Sequence, residues 1–346
     1  MSFDAIVVGA GPAGTSAAMR LAGSGLSVAV VDRLEGDRHS RYHRICGEAV
    51  SDRMFDRIGW KPSSVACRVH SISISMGGAR IVVPAEGCIV DRPAMLAEMR
   101  SLCDAEFVHG AVKSVCRTDG GYVLGLADGR TMSCRSLIGA DGAHSAVRRH
   151  MFGLGPTESL PIVNCIAEGV CGPDLGFRVG GEFPGAYEWR FPSSPGRVSV
   201  GFPKGTASVE DVEGLVEWGA RDLPFGVVER VVDGDCYLVG DAACLANPLC
   251  YGGIGVAMLS GRMAAEAVIA GRPERYSRWV SRSGLFDPHF MKAHEQFSEW
   301  TEEETADAMR PFAKGYSVWR GAVAAVTHPR RFNVYLATFL AFRRGW

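Results

Sequence analysis

The chain has 346 residues, 47% of them hydrophobic, with 43 glycines and a formal net charge of −1. That length allows about two domains with sizeable cores. The near-neutral charge leaves no basic footprint for nucleic acid. So many glycines favour a loop-rich nucleotide-binding fold over a helical bundle.

In chain order, an apolar strand from Phe3 to Val8 is expected to run into GAGPAG at 9–14, followed by a helix with small and apolar residues at Ala13, Ala17, Ala18, Met19 and Leu21. Strand, glycines and helix together are the context a dinucleotide motif requires. Gly9 permits the tight turn, Gly11 lets the backbone approach a pyrophosphate, and Gly14 lets helix and strand pack closely. The helix N-terminus offers free N–H groups and partial positive charge to the phosphates. A second strand, Ser27 to Val31, ends at Asp32 with Arg33 beside it; Asp32 lies about 20 residues past the glycines, where a ribose hydroxyl is gripped. Because the strand begins at the third residue, no basic-then-apolar leader precedes it, and an intracellular, cytoplasmic protein is expected.

Next come RICGEAVS at 44–51, a cysteine–glycine turn, and an alternating stretch, Val69 to Val83, that reads as a hairpin around Gly77–Gly78. A helix opens at DRPAMLAEM, with Arg92 at its start. GADGAHSAVRR at 139–149 reads as a strand end followed by Asp141–Gly142, with Ser145, Val147 and Arg148 opening another helix. Between Leu160 and Pro203 lie several short strands separated by Gly and Pro. One of them, YEWRFP at 187–192, puts Tyr187, Trp189 and Phe191 on one face by alternation; sheet core and a ligand-binding wall both fit that pattern. GDAACLANPLCYGGI at 240–254 is a second nucleotide-type loop. FAD is long enough to need both loops, one for its ADP end and one for its middle, whereas NAD alone has no use for the second.

The fold class expected is therefore α/β: a Rossmann-type FAD-binding domain (1–60, 86–150 and 228–271), an inserted antiparallel sheet for substrate (61–85 and 151–227) roofing the flavin, and a C-terminal helical region (272–346). In the last region Glu299 and Glu302 to Glu304 read as a solvated face. HPRRFNVYLATFLAFRRGW carries a helical stripe of Phe332, Tyr335, Leu336, Phe339 and Leu340 between arginines. That stripe fits docking on the protein's own core or lying on a membrane surface; no apolar run reaches the roughly 20 residues needed to span one. Eleven cysteines with no C-x-x-C spacing argue against a metal site or a disulfide framework. Most read as small buried residues, while Cys46, Cys244 and Cys250 fall in motifs near the expected flavin.

Three motifs in this order resemble the flavoproteins related to p-hydroxybenzoate hydroxylase, over roughly residues 3–270. The resemblance implies that Asp241 meets the ribityl chain, that Gly253 and Ile254 lie by the flavin ring, and that Arg92 reaches the cofactor. Ala13, Arg33, Cys46, Gly47, Ala49, Val112 and Asp141 join Gly9, Gly11, Gly14 and Asp32 in the implied cofactor set.

CGEA at 46–49 and YEWRFP at 187–192 together resemble the geranylgeranyl reductases, especially the archaeal enzymes that saturate isoprenoid chains of membrane lipids, which carry C-x-x-G near the flavin and Y-x-W-x-F-P in the substrate sheet. The resemblance implies FAD-dependent reduction of isoprenoid C=C bonds. It implies Tyr187, Trp189, Phe191 and Tyr251 as substrate contacts; Cys46 is a candidate for proton delivery or for tuning the flavin, with Glu48 beside it as the second candidate. Three positions depart from the pattern: Ala49, Cys244 and Tyr251 replace glycines. No second G-x-G-x-x-G is present, so an external donor (ferredoxin, a nicotinamide or a deazaflavin) is expected to reduce the flavin. A flavin monooxygenase or halogenase acting on a hydrophobic or aromatic substrate is the rival reading.

Overall fold

The computed structural model describes residues 1–76 and 79–344, and two eight-stranded sheets organise it. Strands and helices are numbered in chain order. The first sheet has a parallel centre of β1 (Ser2–Val8), β2 (Val28–Asp32), β6 (Glu106–His109), β9 (Thr131–Gly139) and β16 (Cys236–Leu238). Strand β15 (Val232–Asp233) pairs antiparallel with β16 at one edge, and the hairpin β7 (Val112–Thr118)–β8 (Gly121–Leu126) hangs from β9. Ala5 to Val8 and Val28 to Val31 are all buried, as strands covered on both faces by helices must be.

Helix α1 (Pro12–Leu21) leaves β1 and packs against α5 (Ile254–Ala270). The approach is close enough to need glycine, since a Cβ on Gly261 would lie 2.0 Å from the Ala13 carbonyl oxygen; within the glycine loop itself, one on Gly14 would lie 1.8 Å from the carbonyl oxygen of Gly9. Helices α2 (Gly36–His43), α3 (Asp52–Ile58) and α4 (Arg92–Ser101) complete this half. The helix expected to open with Ser145, Val147 and Arg148 is present but short: Ala146 and Val147 are helical and run into a π-helical turn, Arg148–Phe152.

The second sheet contains β3 (Ala49–Ser51), β4 (Cys67–Met76), β5 (Ala79–Ile89), β10 (Glu158–Glu168), β11 (Asp174–Arg178), β12 (Glu188–Pro192), β13 (Arg197–Pro203) and β14 (Leu215–Phe225). Their order is β14-β10-β13-β12-β11-β4-β5-β3. A wholly antiparallel sheet was expected, but β11 runs parallel to β4, Asp174 facing Ser71 and Arg178 facing Ser75. These strands come from separate insertions with no hairpin between them, so no turn fixes their relative direction. Strand β14 has no counterpart in the sequence reading; Gly219 and Pro224 interrupt its pattern, which an edge strand tolerates. Met76 pairs with Ala79, as the expected hairpin requires, while Gly77–Gly78 lie outside the described residues.

Among the described residues five α-helices follow: α6 (Pro273–Arg282), α7 (His289–Ser298), α8 (Glu302–Met309), α9 (Val318–Thr327) and α10 (Phe332–Arg344). Glu302 to Glu304 are exposed in the first turn of α8, where Thr301 and Glu304 form a reciprocal capping box. Helix α10 packs on α7 and α9.

Candidate functional site

The cofactor cleft opens at the carboxyl ends of β1, β2 and β9, the usual ligand position in an open parallel sheet. Gly9 adopts a left-handed φ of +102° against β9, where a Cβ would lie 2.3 Å from the Ala140 carbonyl oxygen. The Asp32 carboxylate accepts from the Ala10 N–H at 2.5 Å and the Leu34 N–H at 2.7 Å, tying the glycine loop to the end of β2. Val112 starts β7 just past Gly110, whose N–H donates to the Asp32 carbonyl. Arg33 is exposed and lies over the Tyr42 ring. Asp141 accepts from the Ser145 hydroxyl (2.5 Å) and the Ala146 and Val147 N–H groups, and so caps the turn that follows.

Burial pushes the Asp241 carboxyl up to about 6, against the pull of Arg92 and Arg148. Among the described residues no hydrogen-bond donor reaches it, and it lies 3.9 Å from where a Cβ on Gly253 would be. A glycine cradle at a helix N-terminus suits phosphates, and a carboxylate left without a donor suits a polyol. The residues present therefore fit FAD.

Arg148 drew notice in the sequence only as a helix opener, yet it is 1% exposed. Its guanidinium donates to the carbonyls of Ala143 (2.5 Å), Ala242 (3.0 Å) and Asp241 (3.4 Å), joining the 139–149 motif to the 240–254 loop. The available signal was the first arginine of a pair, Arg148–Arg149, placed directly after the apolar Val147. Arg92 plays a similar part across the cleft. Its Nε donates to the His43 carbonyl, its Nη2 to that of Ile45 at 3.4 Å, and its backbone N–H to Glu48 Oε1 at 3.2 Å. It thus clips the 43–48 loop in place. Burial, reinforced by Arg92, His39 and Arg221, holds the His43 ring neutral.

The two motifs behind the reductase resemblance touch. A Cβ on Gly47 would lie 2.7 Å from the Phe191 ring and 3.2 Å from Trp189 Nε1, so the cysteine turn sits directly on the aromatic strand. Trp189 packs flat on Gly201, its pairing partner across β13, and donates to Ser199 Oγ at 3.4 Å. Tyr187 donates to the Cys250 carbonyl at 2.5 Å and stands 5.7 Å, ring to ring, from Tyr251. The Glu48 N–H donates to Cys46 Sγ at 3.4 Å. Burial lifts the Glu48 carboxyl to about 7, although Arg92 opposes the shift.

Among the described residues four that are not glycine take the left-handed region: Glu48 (φ 57°) and Tyr251 (φ 50°), which line the cavity described next, and Cys244 (φ 56°) and Val227 (φ 56°), bonded to each other elsewhere. Cys244 and Tyr251, two of the positions that depart from a glycine pattern, thus take a conformation that favours glycine. In the cysteine turn it is Glu48, one residue before Ala49, that takes this conformation, while Ala49 begins β3. Each costs on the order of 1–3 kcal/mol and persists only where surrounding contacts impose it, as active sites do. The Tyr251 hydroxyl donates to the Gly185 carbonyl at 2.8 Å, and its N–H donates to that of Asn247.

A cavity of about 640 Å³ starts at this point. Cys46, Glu48, Gly253 and Ile254 line its cofactor end; Tyr187, Trp189 and Phe191 form its wall; α8, α9 and α10 close the far side. Glu48 is the one charged residue in the lining among the described residues. Tyr187, Trp189 and Phe191 are therefore sheet core and cavity wall at once. The α10 stripe resolves in the same direction: Tyr335 is buried, and Leu336 and Phe339 line the cavity, so this helix docks on its own chain. Among the described residues no helix is long and apolar enough to cross a membrane.

Comparison with known proteins points to the same cofactor. The family described as FAD binding domain matches residues 4–42. Digeranylgeranylglycerophospholipid reductase 2 of Methanopyrus kandleri is 29% identical, covering 88% of this chain and 89% of that protein. Menaquinone reductase of Mycolicibacterium smegmatis is 28% identical over 96% of this chain and 86% of its own. A solved geranylgeranyl bacteriochlorophyll reductase-like protein from Thermoplasma acidophilum shares the fold, with a TM-score of 0.80 at 19% identity, covering 98% of this chain and 99% of that one. By its FAD binding domain and its likeness over most of its length, the chain is a FAD-dependent oxidoreductase that resembles the geranylgeranyl reductases.

Proposed function

We propose that the protein saturates C=C bonds of geranylgeranyl chains, carried on membrane lipids or their precursors. The observation that carries this reading is the cavity: apolar, lined from Cys46 and Glu48 beside the cofactor cleft to helices α8, α9 and α10, and holding a single carboxyl group among the described residues. Its volume lies within the range of about 300–1,000 Å³ usual for ligand sites. With no Lys, Arg or His in its lining among the described residues, it suits a hydrocarbon tail, with the polar head left outside. A quinone bearing a polyprenyl tail presents the same alkene, which accommodates the menaquinone reductase relative.

An isolated trisubstituted alkene has no carbonyl to polarise, so one carbon must receive hydride-like density and the other a proton. Bound FAD, once reduced, supplies the hydride equivalent. Glu48 supplies the proton, since its raised pKa keeps the carboxyl protonated near neutrality at the cofactor end of the cavity. Afterwards the carboxylate rests with Arg92 Nε at 3.9 Å and regains a proton from solvent. Cys46 accepts the Glu48 N–H and fixes the turn that aims this carboxyl. The aromatic wall aligns the chain and excludes water. An external donor, whether ferredoxin, a nicotinamide or a deazaflavin, restores the reduced cofactor.

The test is anaerobic. The holoprotein is reduced with dithionite, freed of excess reductant and mixed with a geranylgeranylated lipid, and flavin absorbance is followed alongside product mass. Reoxidation coupled to a product richer in hydrogen supports the reading. Reoxidation that occurs only with oxygen, giving a hydroxylated or halogenated product, supports the monooxygenase or halogenase reading instead.

A further inference from the structure

The mouth of the cavity carries an apolar surface that the isoprenoid reading does not itself require. Fourteen large apolar residues are exposed among the described residues, and five of them fall between 318 and 332. On α9, Trp319 is 82% exposed, Val326 80%, Val323 58% and Val318 56%; Phe332, just beyond, is 44% exposed. In helical projection Val318, Ala322 and Val326 follow one another at every fourth residue, with Trp319 and Val323 one position further round. These residues make one outward apolar face, while Ala324 on the opposite face is buried. Val318, Ala322, Val326 and Phe332 also line the cavity. The exposed face is therefore continuous with the interior through its own side chains.

The chain that carries this face is rich in cations. After Asp307 the sequence contains seven Lys and Arg and no Asp or Glu. Arg310 and Arg331 pair with Asp307, and Arg344 with Asp287, while Lys314 and Arg330 are exposed at either end of α9. An apolar helical face flanked by cations is the pattern that lies in the headgroup layer of a bilayer, with anionic lipids drawn to its edges. A tail still embedded in the bilayer then reaches the cavity without crossing water.

We infer that α9 docks the protein on the surface of an anionic bilayer and sets the cavity mouth against the acyl layer. The inference rests on the isoprenoid reading for its purpose but not for its test. The full-length holoprotein is sedimented with vesicles of phosphatidylcholine alone and with vesicles that also contain phosphatidylglycerol. Wild type should bind the anionic vesicles more tightly, and less so as salt is raised. Trp319→Glu/Val323→Glu, two residues outside the cavity lining, should lower vesicle partitioning at least about tenfold. Its melting temperature should match that of wild type, as should flavin reoxidation by geranylgeraniol in detergent micelles. Wild type that ignores vesicles, or a double variant that binds them equally well, overturns the inference. So does a wild-type dimer that the double variant dissociates without any change in vesicle binding, since the face would then belong to a second copy. If no isoprenoid in micelles reoxidises the flavin while the vesicle results hold, the reductase reading fails and the docking surface stands.

Discussion

The two sheets are built by different means. The nucleotide sheet works through backbone: Gly9, Gly14 and Gly261 allow main chain to approach main chain, and one carboxylate, Asp32, pins the loop. The second sheet works through side chains drawn from many separate elements, meeting where Gly47 seats on Phe191 and Trp189. Phosphate recognition by N–H groups can be written in a few consecutive residues. An apolar cavity cannot, because each wall residue arrives from a different strand or helix.

The largest effect should come where the two halves meet. Replacing Glu48 with Gln should slow alkene-dependent flavin reoxidation by about 10²–10⁴-fold while leaving FAD bound. In wild type that rate should fall as the pH rises through about 7, where the Glu48 carboxyl loses its proton. The variant should lose this limb. The same group destabilises the fold once ionised: its contribution is fully present below pH 4.5 and is lost as the pH rises through about 7. Denaturation of the Glu48→Gln variant should show no such loss.

Trp189→Ala probes the substrate side alone. Truncating a buried Trp costs about 3–5 kcal/mol of stability. If the residue is also cavity wall, KM should rise more for long isoprenoids than for short ones; equal losses at all lengths would return Trp189 to core packing only. On the nucleotide side, Arg148→Ala removes charged hydrogen bonds worth roughly 1.5–3 kcal/mol each. It should lower the melting temperature and loosen FAD, with no dependence on chain length, which equilibrium dialysis and denaturation can check. Gly47→Ala should be mildest, about 1–3 kcal/mol from crowding against Phe191. It should impair long and short substrates alike, because it shifts the turn rather than the wall.

How much was legible in the sequence follows the same division. Strand β1, the glycine loop and Asp32 were readable because their partners are near neighbours in the chain. Tyr187, Trp189 and Phe191 were readable as one face by alternation, but their contact with Gly47 joins segments far apart. The parallel pairing of β11 with β4 was not readable, since no turn encodes it. Strand β14 escaped because Gly219 and Pro224 break its pattern; Gly219 gives way to the Ile45 side chain, a reason visible only in three dimensions. Arg148 looked like an ordinary helical arginine until its carbonyl partners came together. Cys244 and Tyr251 read as departures from a glycine pattern, yet the backbone at both lies in the left-handed region that favours glycine.

The most direct measurement is the rate at which anaerobically reduced wild-type protein is reoxidised by prenols of increasing length, with each product weighed by mass spectrometry. The cavity geometry predicts that rate and affinity rise with chain length up to the geranylgeranyl chain, and that each saturated bond adds one H₂ to the product. Equal rates at every length, or reoxidation without hydrogen gained by the prenol, would contradict it.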